Sequence, residues 1–429
     1  MKGATPIQRR GMAFAVGTQC LGSFAAVFVN HGLFLLYLLS LNFEESLALA
    51  LTGGFHLMNF TTIFFAQWAE KKGLKWVGGM GLILIALGFG TMGLVYFIPQ
   101  DSRLLMMLFA MGICAIGKPA YASIFFPLIR GVVPEALRGR FFGVLRFSWQ
   151  LTGLAFLMIC PFLVGEDGDP SIYALLLGGI AITQLIRFFV LSKIPDTQKS
   201  SKTQENLNLY EAVRYAIHWP GFSSFCAYVF LMSFATGITA TSYALSEKMT
   251  LHLSDATVVG LGNLGLLGTI LGALFGGMII DRYGTKVVFI VGHFGIGGLM
   301  FLFVARGVVP LPNLWTLGLC HSLTGLLISS VMLGVTTEMF SLEPDKGKNV
   351  AFSIVSACTA LGGSLSGVLG AGAVKIGLLQ HNWEFLGENM GAYDGLLLIL
   401  SGAVMMLVVT LCLVPSVLKA KPHRIIPQA

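Results

Sequence analysis

Apolar residues run along this chain in long blocks, and polar residues collect in the short stretches between them. A helix needs about 20 mostly apolar residues to cross a bilayer. Runs of that length fall at 12–40, 45–69, 76–98, 103–130, 139–165, 171–192, 220–247, 255–280, 286–308, 313–340, 349–378 and 392–417. The pattern therefore predicts an all-α membrane protein with twelve transmembrane helices. The one long polar connection, 195–208, divides the runs six and six, as a linker would. After it, Leu209, Val213, Ala216 and Ile217 keep helical spacing with Glu211 and Arg214 off that face, which predicts a short helix along the membrane surface. The expected organisation is a six-helix bundle over 1–194, a cytoplasmic linker with its interfacial helix over 195–219, and a second six-helix bundle over 220–429.

Composition fixes the solvent. The chain has 429 residues, of which 55% are hydrophobic and 11% charged, with a mean hydropathy of +0.80. Soluble domains carry about 25% charged residues, so the lipid bilayer is the partner for most of this surface. The net charge of +7 comes from short connections and gives no nucleic-acid patch. Most of the 27 Lys and Arg fall in alternate connections: Lys2, Arg9, Arg10; Lys71, Lys72, Lys75; Arg130, Arg138, Arg140, Arg146; Lys193 to Arg214; Arg282, Lys286; Lys346, Lys348; and the C-terminal end. The opposite set holds Arg103, Lys248, Arg306 and Lys375 beside Glu44, Glu45, Glu166, Asp167 and Asp169. That asymmetry predicts both termini on the cytoplasmic side of a plasma membrane, and the first run reads as a retained span. Seven cysteines, an odd number, all lie in apolar runs at no metal spacing, so they read as buried small hydrophobes with no metal or other cofactor.

The two halves resemble each other at an offset of about 210 residues. Pro134, Glu135, Arg138, Phe142 and Gly153 line up with Pro344, Asp345, Lys348, Phe352 and Gly363. Ala66, Glu70, Lys71, Gly73 and Lys75 line up with Gly277, Asp281, Arg282, Gly284 and Lys286. In the second copy Gly277 leaves room for a neighbouring helix, Gly284 supplies a tight turn, and Arg282 and Lys286 hold the loop in water. The pattern G-x-x-x-D-R-x-G-x-K, present twice at matching places, resembles the signature loop of the major facilitator superfamily of membrane transporters. The resemblance covers nearly the whole chain and implies two pseudo-symmetric six-helix bundles that rock about a midplane site. The first copy departs from the pattern at Ala66 and Glu70. The fourth run has Met106 and Met107 where many proton-coupled members carry arginine, and the fifth offers only Cys160-Pro161 in place of the drug antiporters' glycine–proline pattern.

Candidate chemistry centres on Lys118, in the middle of the fourth run, where an ammonium cannot easily snorkel to either surface. No acid stands at comparable depth in any run. Pro119 follows it and frees a backbone carbonyl, so the amine faces either a substrate or that carbonyl. The resemblance places the first, fourth, seventh and tenth helices around the cavity, which adds Asn30, His31, Tyr121, Thr241, Tyr243 and His321 as substrate-binding candidates. His31 and His321 are able to carry a proton, whereas His56 and His293 read as packing, and most Ser and Thr bond their own backbone. For the cytoplasmic gate, the resemblance pairs Asp281 with Arg138 and Arg140, and Glu70 with Lys346 and Lys348, in loops that hold Lys71, Gly73, Gly277, Gly284 and Lys286. Glu338 is expected to pair with Arg282. Gly268, Gly272 and Gly276 let helix backbones touch, either as plain packing or as a sliding surface. Arg146, with Trp149 and Gln150, reads as a surface charge or an inner anion contact.

These features predict a secondary transporter, symporter or uniporter, moving a small polar, anionic solute, with a proton or other ion as an open partner and a monomer as the working unit. A lipid or lysolipid flippase on the same fold, and a non-transporting receptor, are the alternatives. No nucleophile–base pair, metal cluster or sizeable extramembrane domain points to an enzyme.

Overall fold

The structure, a computed structural model, describes residues 5–413 except 56, 131, 135, 136, 167, 196–207, 343 and 345. The expectation for His56, the helix-start partners Glu135 and Asp345, and most of the 195–208 linker lie outside the described residues. So do the side chains of Glu70, Arg138, Arg140 and Lys348.

Twelve helices are long and apolar enough to cross a membrane. Six precede residues 196–207: α1 (Pro6–Asn30) with its continuation α2 (Leu33–Ser40), α3 (Glu45–Gly54) with α4 (Thr62–Lys72), α5 (Leu74–Leu94), α6 (Gln100–Arg130), α7 (Arg138–Val164) and α8 (Pro170–Ser192). A short helix, α9 (Leu209–His218), leads to the second six. These are α10 (Phe222–Thr236) with α11 (Thr239–Leu245), α12 (Asp255–Tyr283), α13 (Thr285–Val304), α14 (Asn313–Ser341), α15 (Lys348–Lys375) and α16 (Ala392–Leu413). The result is two six-helix bundles in one all-α membrane protein.

Local sequence explains the breaks. Thr5 and Gln8 form a capping box at the start of α1, and Asp169 caps α8 by accepting from Ser171 N at 2.8 Å, which holds its carboxyl below the usual range. His31 and Gly32 interrupt the first span, with Gly32 at φ +87°. The second span is broken at a 3-10 turn over Leu57–Thr61, and the seventh ends in a π turn over Ser246–Thr250. The fourth span stays helical through Pro119 and Pro127. Gly73 and Gly284, matched in the two halves, turn the chain at φ +99° and +83°, a conformation that costs glycine nothing. A short antiparallel hairpin, β1 (Trp383–Phe385) with β2 (Glu388–Met390), sits in the connection before α16 and has no counterpart in the sequence reading.

Glycine packing is tightest inside the second bundle. A Cβ at Gly268 would lie 1.8 Å from Ser322 O, and one at Gly272 would lie 2.1 Å from Leu326 O, both on α14. The glycine ladder of α12 therefore serves its own bundle and is not a sliding surface. Gly277 is not part of the close approach: its nearest neighbour would be Leu333 Cδ2 at 3.5 Å, an ordinary contact. Across the bundles a Cβ at Gly53 would reach the Cα of Gly367 at 2.8 Å, and one at Gly168 would lie 2.0 Å from Asp255 Oδ2. In α9 it is Ala212 and Ala216 that are buried, with Ala212 against Gly347, while Ile217 is exposed.

Candidate functional site

The seven substrate candidates do not form one constellation. They separate into an amine on α6, a cation–aromatic cluster in the first bundle and a carboxylate–imidazole cluster in the second.

Lys118 is half-buried on α6, and its ammonium lies 4.6 Å from the centre of the Phe55 ring. Among the described residues it makes no hydrogen bond to a backbone carbonyl, so Pro119 does not explain it. Ala122 and Phe126, one and two turns on, continue its face, and Phe126 meets Phe352 of α15 at 6.4 Å between ring centres. The C-terminal end of α6 thus meets the other bundle, while the amine itself lies on Phe55 of the first.

One turn along α6, Tyr121 shares a 3.1 Å hydrogen bond with Thr18 and carries the guanidinium of Arg187 over its ring at 4.0 Å. Arg187, on α8, donates to Gln184 Oε1 (3.1 Å) and Gln19 Oε1 (3.4 Å), and its buried Nε has no partner. No acid reaches it among the described residues. The rule that singles out Lys118, a cation inside an apolar run, applies equally to Arg187, which the sequence reading passed over.

In the second bundle His321 Nε2 stands 2.7 Å from Glu247 Oε1. Tyr243 bonds Thr324 at 3.2 Å and stacks on Phe303 at 4.2 Å. Glu247 is fully buried and its Oε2 has no partner. Acids at the ends of the spans are nonetheless taken inside: Glu247, Asp255 and Asp394 are all buried. Arg306, expected in a polar connection, is buried as well and donates to Asp394 Oδ1 at 2.9 Å. All four stand at the end of an apolar run or within two residues of it, where a hydropathy pattern assigns charges to water. His31 interrupts the first span, Asn30 beside it is exposed, and Thr241 is half-buried without a hydrogen bond among the described residues. His293 is a packing residue, bonded to Phe289 O and Tyr228.

On the basic face, which carries Lys71, Lys72, Lys75, Arg282 and Lys286, Asp281, Arg282 and Lys286 are exposed and Arg282 covers the Tyr283 ring. Glu338 is not paired with Arg282. It accepts from Thr285 at the start of α13 and from Ser341 at 3.2 Å, so it pins a helix start to α14. Lys346 is exposed and Arg146 is exposed. On the opposite face a cavity of about 900 Å³ is lined by Glu44, Glu45, Lys248, Asp255, Lys375 and His381 among others, and by none of the seven substrate candidates. There the bundles are bonded to each other: Tyr173 donates to Asp255 Oδ2 (2.7 Å), Ala256 N to Gly165 O (3.2 Å) and Asn263 to Leu157 O (3.0 Å).

Comparison with known proteins agrees with this architecture. A Gentisate transporter of Corynebacterium glutamicum is 27% identical over 136 residues, 32% of this chain, and the chain spans only 29% of that relative's length. Among solved structures, the E. coli xylose transporter XylE in a partially occluded inward open conformation superposes with a TM-score of 0.71 at 13% identity, covering 97% of this chain and 100% of that one. The nucleoside transporter NupG gives 0.68 at 13% identity over 97% and 100%, and a POT family transporter with a bound peptide conjugate gives 0.71 at 11% over 94% and 96%. The family model described as Major Facilitator Superfamily matches residues 12–367. With twelve spans in two bundles, repeated glycine turns and that match over most of its length, the chain belongs to the Major Facilitator Superfamily of transporters.

Proposed function

We propose that this protein is a secondary transporter of a small organic anion, working by alternating access between its two bundles, with both termini on the cytoplasmic side of a plasma membrane. Lys118 carries the reading. Taking an ammonium out of water costs several kcal/mol even in a relaxed protein, and a cation–π contact returns about 0.5–2 kcal/mol. Phe55 therefore leaves the amine short of a counter-charge. An anionic solute supplies that counter-charge. Arg187, a second cation without an acid among the described residues, adds to the positive potential of the first bundle. The name of the gentisate relative, a transporter of a carboxylate, points the same way.

The charged lining of the opposite-face cavity favours a polar solute over a lipid tail. The asymmetry of Lys and Arg between alternate connections supports the orientation.

The test is uptake by proteoliposomes of gentisate and a panel of other small carboxylates. Wild-type protein is expected to accumulate or exchange at least one of them. Lys118→Ala is expected to lose at least about tenfold in rate, the measure of one lost charge-assisted contact, with Lys118→Arg retaining part. Normal uptake by a folded Lys118→Ala protein overturns the reading.

A further inference from the structure

The cavity on the opposite face is built by both bundles. Glu44 and Glu45, at the start of α3, line it from the first; Lys248, Asp255, Lys375 and Tyr393 line it from the second. At about 900 Å³ it has the size of a small-molecule site. Tyr393, in the first turn of α16, is 1% exposed, and its hydroxyl has no hydrogen-bond partner. Glu44 and Glu45 face it from the other bundle. Glu45 Oε2 is likewise buried without a partner. A phenol and a carboxylate therefore stand across the bundle boundary from each other without closing a hydrogen bond.

The protein commits its cations elsewhere. Lys248 is paired with Asp255, which also accepts from Tyr173. Arg103 donates to backbone, at Leu41 O (3.1 Å) and Ile98 O (3.1 Å). Lys375 is exposed. With His381 counted as neutral, the lining sets Glu44, Glu45 and Asp255 against Lys248 and Lys375, an excess of one negative charge. The first turn of α3 suits a carboxylate, being the positive end of a helix. That accounts for an acid at position 45 but not for the orphaned oxygen inside the cavity. Glu44 is partly satisfied, accepting from Ser46 Oγ at 2.6 Å.

We propose that this cavity binds a small organic molecule through a primary ammonium group, seated between Glu45 Oε2 and Tyr393 Oη and so bridging the two bundles. An ammonium carries one positive charge and three N–H donors. It cancels the excess charge and gives each orphaned oxygen a donor. Water supplies donors without charge, and a quaternary ammonium supplies charge without donors. A metal ion fits less well, since no group of three His, Cys, Asp or Glu among the described residues could hold one. A small anion meets no net attraction at this wall. The ligand here is therefore not the solute proposed for Lys118, and the two readings are tested apart.

Calorimetric titration of the detergent-solubilised full chain with propylammonium chloride, beside tetramethylammonium chloride at equal ionic strength, tests the site. Propylammonium is expected to bind saturably. Tetramethylammonium, with no N–H to donate, is expected to bind at least about tenfold more weakly. Glu45→Gln and Tyr393→Phe, one change in each bundle, are each expected to weaken propylammonium binding by about tenfold or more. Glu384→Gln, an exposed acid on the hairpin outside the lining, is expected to leave it unchanged. Tyr393→Phe removes an oxygen that holds nothing else, so it decides the matter even if Glu45→Gln fails to fold. No saturable binding, equal binding of the two cations, or wild-type affinity in either folded cavity variant overturns the proposal.

Discussion

Arg306 donates from Nη1 to Asp394 Oδ1 over 2.9 Å, and neither side chain is exposed. Asp394 accepts further from Ser246 Oγ (2.7 Å) and Gly391 N (2.8 Å), so one carboxylate ties the π turn of the seventh span, the hairpin connection and α16 to the end of α13. Asp394→Asn keeps the shape and removes the charge, leaving a buried guanidinium without its counter-ion. Breaking one side of such a pair costs about 3–5 kcal/mol. Thermal unfolding in detergent is expected to show a marked drop for Asp394→Asn and a smaller one for the double change Arg306→Met with Asp394→Leu, in which no charge is stranded.

The glycines of α12 separate into two classes that a substitution series resolves. At Gly272 a methyl group would press on the backbone carbonyl of Leu326, which has no rotamer to escape into. Overpacking of this kind costs about 1–3 kcal/mol. At Gly277 a methyl group meets only Leu333 Cδ2 at contact distance. Gly272→Ala is expected to lower the unfolding temperature, while Gly277→Ala leaves it nearly unchanged. Equal losses at both would show that α12 and α14 are not in the register described.

Sequence alone reveals the architecture here because lipid imposes a long, simple period: each of the twelve spans is a run of apolar residues, and Gly73 and Gly284 mark matched turns by residue type. What it hides is direction. Glu247, Asp255 and Asp394 stand where apolar runs begin or end, and the pattern cannot tell a charge folded inward from one in water. The partners that settle the matter are remote, His321 being 74 positions from Glu247. For Glu338 the sequence suggests Arg282 as partner, whereas its hydroxyl partner Thr285 belongs to a helix start that only the fold brings to α14.

Arg187 was legible, since it stands inside an apolar run as Lys118 does, and its surroundings allow a prediction of unusual sign. Its guanidinium lies on Tyr121 and is packed so closely against α1 that a Cβ at Gly22 would fall 2.5 Å from its Cζ. Two hydrogen bonds to glutamine contribute about 1.5–3 kcal/mol each to a charged donor, and the ring contact adds up to about 2 kcal/mol. Against these stands the several-kcal/mol cost of a buried cation without an acid. The two sides nearly cancel, unlike the Asp394 case, where a charge is stranded. Arg187→Met fills similar volume and removes the charge, so its unfolding temperature is expected within about 3 °C of wild type. A loss as large as that of Asp394→Asn would mean that an anion bound to the purified protein already neutralises Arg187, and dialysis at low salt would then lower the wild-type unfolding temperature as well.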